Sequence, residues 1–251
     1  MAQNRAADPL AFEQAMALAR RRTGQPGGIG TLRERTLHAV LKYYFEPDSE
    51  NHEIRVGGYV ADIVGADGII EIQTRGLNLL RPKLAAFLEC ARVTVVYPVA
   101  AVKWLCWIDP DTGAAVSRRK SPRRGIPQDA FAELYKIRPF LKHPNLTVCL
   151  VLLALEEYRR PGGNSRDKRR GSVRQERLPV ALLDQLMLDT PDSYAQLIPH
   201  RLPAPFTSAD YAAAVSRSRP YASQALQILT DVGAVRRVGR QAGGYLYQTR
   251  A

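Results

Sequence analysis

The chain has 251 residues, 45% of them hydrophobic and 24% charged, which excludes wholesale disorder, collagen and a membrane-embedded class. Thirty-six lysines and arginines against twenty-four aspartates and glutamates leave a net charge of +12. Each basic group near a phosphate releases a condensed counterion, so a polyanionic partner is expected, nucleic acid ahead of an anionic membrane surface.

In chain order, Met1 to Arg22 has no apolar signal core and carries Asp8 and Glu13 among its basic residues, so a cytoplasmic protein is expected. Leu10 to Arg22 is a short amphipathic stretch, and Thr23 to Gly28 is a joint that ends any helix, so residues 1–30 read as an N-terminal arm. Thr31 to Phe45 reads as a helix, with Leu32, Leu37, Val40, Leu41 and Tyr44 on one side and a capping box of Thr31 with Glu34. The period then changes to two over Glu53 to Val56, Tyr59 to Val64 and Ile69 to Gln73, separated by Gly57-Gly58 and Gly65 to Gly68: a three-stranded meander. Leu77 to Ala91 returns to helical spacing with Pro82 in its first turn. Val93 to Val99 is apolar throughout and belongs in the centre of a sheet, Lys103 to Asp109 and Ala114 to Ser117 form a hairpin, Phe131 to Leu141 is a helix, and Leu146 to Leu155 is another buried strand. That last run is about half of what a bilayer-spanning helix needs, so no membrane segment is expected. Cys90, Cys106 and Cys149 lie far apart in apolar stretches and read as small core residues.

The chemistry concentrates in the meander. Asp62 stands in one strand and Glu71-Ile72-Gln73 in the next. A two-residue turn at Asp67-Gly68 would set Asp62 opposite Gln73, and a four-residue loop from Gly65 to Gly68 would set Asp62 opposite Glu71; either way the polar groups share one face, with Ile63, Ile70 and Ile72 on the other. Two carboxylates on buried strands repel, and Mg²⁺ or Mn²⁺ held by Asp62 and Glu71 resolves that conflict with water and substrate phosphate as the remaining ligands. The competing reading is the polar outer face of an antiparallel sheet.

Gly58-Tyr59-Val60-Ala61-Asp62 and Gly68-Ile69-Ile70-Glu71-Ile72-Gln73-Thr74, with a helix before them and a helix and apolar strand after, resemble the core of the PD-(D/E)XK nuclease superfamily over residues 31 to about 155. The resemblance implies a restriction-endonuclease-like mixed sheet flanked by helices, Asp62 and Glu71 as metal ligands, Glu34 as a further acid on the first helix, and Gln73 where the family usually has lysine. An amide there can orient water but carries no charge. Arg75, Arg81 and Lys83 follow directly, and any of them could contact a phosphate or replace the lysine; otherwise they form a solvated helix face. Arg118, Arg119, Lys120, Arg123 and Arg124 crowd a loop with no acid among them, a second phosphate-binding surface. The four histidines, His38, His52, His143 and His200, show no pairing and read as structural.

After Tyr158, seven basic residues through Arg174 face one acid, so residues 159–177 read as a basic linker. Helices are then expected at Pro179 to Leu188, Ser193 to Ile198, Ser208 to Val215 and Pro220 to Asp231, with Gly233 as the C-terminal cap and a hairpin from Val235 to Tyr247. The order helix, turn, helix, basic hairpin resembles a winged helix-turn-helix domain over 178–251, with Arg219, Tyr221 and Gln224 presented outward on the second helix and Arg237 and Arg240 of the wing on phosphates. The expected protein is therefore α/β, a nuclease-like domain at 31–158 followed by a smaller winged-helix domain. It would be a metal-dependent DNA endonuclease, or a catalytically inactive DNA-binding or regulatory protein on the same scaffold, with RNA as a second substrate class and a homodimer suited to double-strand cleavage.

Overall fold

The computed structural model describes residues 6–22, 35–162, 171–241 and 244–250. Two helices, α1 (Pro9–Arg22) and α2 (Arg35–Phe45), precede the meander β1 (His52–Val56), β2 (Tyr59–Gly65) and β3 (Gly68–Ile72). Then come α3 (Arg81–Cys90), β4 (Val93–Ile108), β5 (Ala115–Lys120), the single turn α4 (Phe131–Leu134), β6 (Leu146–Pro161) and β7 (Ser172–Leu188). The chain ends with α5 (Pro191–Ala195), α6 (Ser208–Ala214), α7 (Arg219–Asp231) and the hairpin of β8 (Val235–Gln241) and β9 (Gly244–Thr249). The fold is α/β: a mixed seven-stranded sheet in the order β1-β2-β3-β4-β6-β7, with β5 on β4 beyond the end of β3, flanked by helices.

The two most apolar strands occupy the centre, where both faces are covered. β4 runs parallel to β3 and β6. A bulge between Ala100 and Val102 lets Val93 to Val99 and Lys103 to Ile108 run as one 16-residue strand, where the sequence suggests two. On one face Phe12 and Ala15 of α1 and Leu37, Leu41 and Tyr44 of α2 pack with Ile63, Ile72, Val96 and Val151. Helix α1 is thus a layer of the core and not an arm, because Phe12, at 0% exposure, anchors it; the rest of the expected arm, 1–5 and 23–30, lies outside the described residues. On the other face Leu84 and Phe87 of α3, Phe131 and Leu134 of α4, Tyr211 of α6 and Leu226 and Leu229 of α7 share one cluster with Val95, Val148 and Leu150.

β7 replaces both the second part of the expected linker and the helix expected at Pro179 to Leu188. Three bulges interrupt its pairing with β6, so its buried positions fall at Ser172, Glu176, Pro179, Leu182, Gln185 and Leu188, a spacing of three to four that imitates a helix. Pro179 is accommodated because it lies beside one of these bulges on an edge strand. The basic stretch therefore connects two strands of one sheet; its residues 163–170 lie outside the described residues. Cys106 and Cys149 are buried, whereas Cys90, at the end of α3, is exposed.

The C-terminal elements follow the sequence closely. Thr207 caps α6 in a capping box with Asp210, and Gly233, at φ +83°, ends α7. Helix α7 is not free, however. Tyr221 donates to the Gln128 carbonyl, the Tyr135 hydroxyl meets the Gln227 amide at 3.0 Å, Arg138 pairs with Asp231, and Arg217 Nε reaches Asp129 at 2.7 Å. Tyr221 and Gln227 are consequently turned onto the segment 127–140, and the outward face of α7 is left to Arg219, Ser223 and Gln224.

Gly68 couples the hairpin turn to the sheet. Its φ of +117° is a glycine conformation, and a Cβ there would lie 2.4 Å from the Arg92 carbonyl oxygen, the same oxygen that accepts from Ile69 N at 2.8 Å to begin the β3–β4 pairing. Gly57, at φ +52°, has open space around it. Gly68→Ala should therefore cost roughly 2–3 kcal/mol and clearly more than Gly57→Ala, measured as the shift in urea unfolding midpoint. Equal losses in the two variants would show that the close approach to Arg92 carries no weight.

Candidate active site

The pairing of β2 with β3 runs Ile63↔Ile70, Val64↔Ile69 and Gly65↔Gly68, leaving Ala66 and Asp67 at the tip. Continued by one residue, this register sets Asp62 opposite Glu71, the pairing expected of the four-residue loop, although Gly65 and Gly68 pair and leave a turn of two residues. Ile63 and Ile72 point into the α1–α2 layer, so the carboxylates take the opposite side. There the backbone amide of Asp62 donates to Glu71 Oε1 at 3.2 Å, and the amide of Ile72 to Asp62 Oδ2 at 2.8 Å.

The chain crosses from β3 to the parallel β4 through α3, and Pro82 at the start of α3 fits a first turn that has no N–H to lose. This crossover brings Lys83 back over the end of the hairpin. Its Nζ lies 2.9 Å from Glu71 Oε2 and 3.1 Å from Oε1. Glu71 is 1% exposed, so it would be a costly isolated anion without that ammonium. Of the two helix residues that could stand in for a lysine, Arg81 is the wrong one: its Nε donates to the Lys136 carbonyl at 2.5 Å.

His38 completes the group. From α2 its Nε2 approaches Asp62 Oδ2 at 3.2 Å, a role that nothing in the local sequence signals because 24 residues separate them. The two carboxyls titrate in opposite directions. Burial first, then repulsion by Asp62, pushes Glu71 above the usual carboxylate range despite Lys83. Burial also opposes ionisation of Asp62, but the hydrogen bond and charge of His38, the Ile72 amide and Lys83 outweigh it and hold Asp62 below that range.

These residues line a cleft of about 1110 Å³ together with Tyr59, Gln73, Arg75, Leu79, Arg174, Glu176 and Arg177. Gln73 lies at the expected place after β3, yet its amide nitrogen donates to the Arg75 carbonyl at 2.6 Å and not to either carboxylate. Glu176 of β7 is a third acid here, 4% exposed, accepting from Thr36 Oγ1 at 2.5 Å and raised by burial; it falls in the stretch 159–177 that the sequence reads as a linker. Glu34 lies outside the described residues. No group of three or more His, Cys, Asp or Glu side chains forms a ready cage among the described residues. Mg²⁺ commonly takes only one or two protein carboxylates, and the opposed Asp62 and Glu71, whose repulsion a cation would cancel, fit that donor set.

The basic surfaces lie elsewhere. Arg118, Arg119 and Lys120 belong to β5, all exposed, and not to a loop; Arg123 and Arg124 follow it, also exposed. Acids are nearer than the local sequence suggests, since Arg118 Nε meets Glu156 at 2.7 Å across the sheet, and Arg118 and Lys120 both lie over the Trp104 ring. On the C-terminal hairpin, Arg237 and Arg240 sit 4.2 and 4.7 Å above the exposed Tyr245 ring.

A model of the family described as Domain of unknown function (DUF8091) matches residues 35–189, from the first residue of α2 to just past the end of β7. The chain belongs to the DUF8091 family. The match includes His38, Asp62, Glu71, Gln73, Lys83 and Glu176, while α5 to β9 lie beyond it. A relative in Treponema pallidum (strain Nichols), described as an uncharacterized protein, is 33% identical over 187 residues, 73% of each chain. No solved structure matches the chain.

The opposed shifts make the Glu71–Asp62 pair testable by pH. The folded state holds the Glu71 proton more tightly than the unfolded chain, so stability from this group is complete below its ordinary value of 4.5 and declines as pH rises through the raised folded value. Glu71→Gln lacks that proton, and its stability relative to wild type should climb with pH above 4.5. Lys83→Met removes the cation that restrains Glu71, so the decline should extend to higher pH than in wild type. Urea unfolding from pH 4 to 8 reads both, and a pH-independent difference between Glu71→Gln and wild type would exclude the raised carboxyl.

Proposed function

We propose that this protein hydrolyses phosphodiester bonds of DNA at the Asp62–Glu71 pair, on a restriction-endonuclease-like core, with the C-terminal elements serving as a winged-helix DNA-binding module. The observation that carries this reading is the approach of Lys83 to both oxygens of Glu71 directly across from Asp62: three charged groups, taken from β2, β3 and α3, meet at one point that the resemblance to PD-(D/E)XK nucleases would make catalytic. Asp62 and Glu71 would hold Mg²⁺ or Mn²⁺. When bound, such an ion polarises a phosphodiester and lowers the pKa of water beside it.

The residues of the chain supply the rest. Lys83 replaces the lysine absent from position 73 and places a positive charge beside the scissile phosphate, where negative charge grows as the water oxygen bonds to phosphorus and the bond to the leaving oxygen breaks. His38 and the Ile72 amide hold the Asp62 carboxylate ionised and oriented. Arg75 at the cleft and the exposed Arg118, Arg119, Lys120, Arg123, Arg124, Arg219, Arg237 and Arg240 supply affinity for the backbone, with Gln224 the side chain on α7 left to contact base edges; Tyr221 is taken out of that role by its bond to Gln128. A second reading, DNA binding without hydrolysis, is favoured by one feature: the Gln73 amide is spent on Arg75 and points no donor at the carboxylates.

Plasmid nicking with Mg²⁺ or Mn²⁺ against an EDTA control separates the two. Hydrolysis predicts metal-dependent nicking that Asp62→Asn abolishes and Lys83→Ala lowers by about a hundredfold or more, while Arg81→Ala leaves turnover within about twofold. No cleavage of plasmid, linear duplex or single-stranded DNA with either metal, in a protein that still binds DNA, would leave the binding role alone standing.

A further inference from the structure

We infer that the cleft receives a single strand of DNA, an unpaired segment or a frayed end, with one base stacked on Tyr59 and Leu79 wedged beside its neighbour. The inference rests on the reading of Asp62 and Glu71 as a phosphodiester site and adds the form of substrate that can reach them.

Depth is the first argument. The Glu71 side chain is 2% exposed and that of Asp62 19%, so a phosphate must enter the cleft to meet them and cannot act from the rim. At about 1110 Å³ the cleft is scarcely larger than the roughly 300–1,000 Å³ of small-molecule pockets. A few nucleotides of one strand fit that space; a duplex, whose two backbones flank the stacked pairs, does not.

The lining supplies the second. Lys83, Arg75, Arg174 and Arg177 put positive side chains along the cleft around the acids Asp62, Glu71 and Glu176, so a phosphate backbone can lie on the cations with a metal at the acids. Among them stand Tyr59 and Leu79, exposed side chains that a phosphate does not need. Tyr59, the first residue of β2 after Gly57-Gly58, is 36% exposed, and its contact with Phe87 is edge to face at 6.0 Å and 84°, which steadies the ring from one side. Leu79, in the turn before α3, is 71% exposed. An aromatic face in a cleft that also carries cations is the arrangement on which unpaired bases stack without sequence preference, and an exposed aliphatic side chain lining the same cleft is the kind of wedge that separates adjacent bases. In a duplex the base faces are already occupied by stacking and cannot use Tyr59.

Fluorescence anisotropy with a labelled 20-nucleotide strand and the corresponding 20-base-pair duplex tests this on the full chain in EDTA, where no cleavage competes. Tyr59→Ala should weaken single-strand binding roughly tenfold, and Tyr59→Phe should restore it, while duplex affinity, carried by β5 and the C-terminal hairpin, moves less than twofold. Leu79→Ala should give a smaller loss on the same strand. A thermal melt of each variant within a few degrees of wild type keeps the comparison valid, and Tyr59→Phe reports on the ring should Tyr59→Ala fold poorly. Equal losses on both DNA forms, no loss on either, or failure of Tyr59→Phe to restore binding would overturn the inference. It and the hydrolytic reading fail separately: Tyr59-dependent single-strand binding without nicking sinks hydrolysis alone, and metal-dependent cleavage with unchanged single-strand affinity in Tyr59→Ala sinks the stacking site alone.

Discussion

Glu71 is a carboxylate with almost no contact with water, placed opposite another carboxylate on the neighbouring strand. Such a group survives only with a compensating cation, and Lys83 supplies it with two hydrogen bonds of 2.9 and 3.1 Å. Much of the architecture serves that meeting. The register of β2 on β3 sets Asp62 opposite Glu71, the parallel step from β3 to β4 forces a helical crossover, and the crossover returns Lys83 to the end of the hairpin. His38 does for Asp62, from the opposite layer, what Lys83 does for Glu71. The two carboxyls end with opposed titration, one held ionised and one pushed toward its neutral form, the division of environments by which paired carboxyls take different roles.

The sheet also fixes what lies around the pair. β4 is long enough to carry β3 along its first half and β5 along its second, so the carboxylate hairpin and the basic strand follow one another along one side of it. β7 closes the opposite edge and contributes Glu176, Arg174 and Arg177 to the cleft. The DUF8091 match, residues 35–189, spans the whole seven-stranded sheet with its carboxylates, and the helices and hairpin beyond it pack onto one face of that sheet. That packing has a consequence: Asp129, Tyr135 and Arg138 engage Arg217, Gln227 and Asp231, and the C-terminal module offers its hairpin and the start of α7 to solvent more than the face of α7 itself.

Where local chemistry decides structure, the sequence was legible. The meander followed from alternation broken by Gly57-Gly58 and Gly65 to Gly68, the central strands from unbroken apolar runs, and α6 and α7 from Thr207 and Gly233. Asp62 and Glu71 stood out because a shared face on buried strands is a matter of parity alone, whichever turn joins them. The errors came where pairing resets the period. Bulges in β7 spaced its buried residues like a helix, the basic run up to residue 177 read as a linker and left Glu176 unnoticed, and the pairing of β5 with β4 drew Arg118 to Lys120 out of a loop into a strand.

Chain composition and short-range pattern by themselves determined the α/β class, the basic surface and the carboxylate hairpin, because charge, parity and turn chemistry act over a few residues. Only the tertiary structure decided which turn set the register, that Lys83 and not Arg81 meets Glu71, that His38 meets Asp62 across 24 residues, and that Tyr221 faces inward. Each of these depends on how elements distant in sequence pack against one another, and no local propensity encodes the angle at which a crossover helix returns or the face that a docked helix conceals.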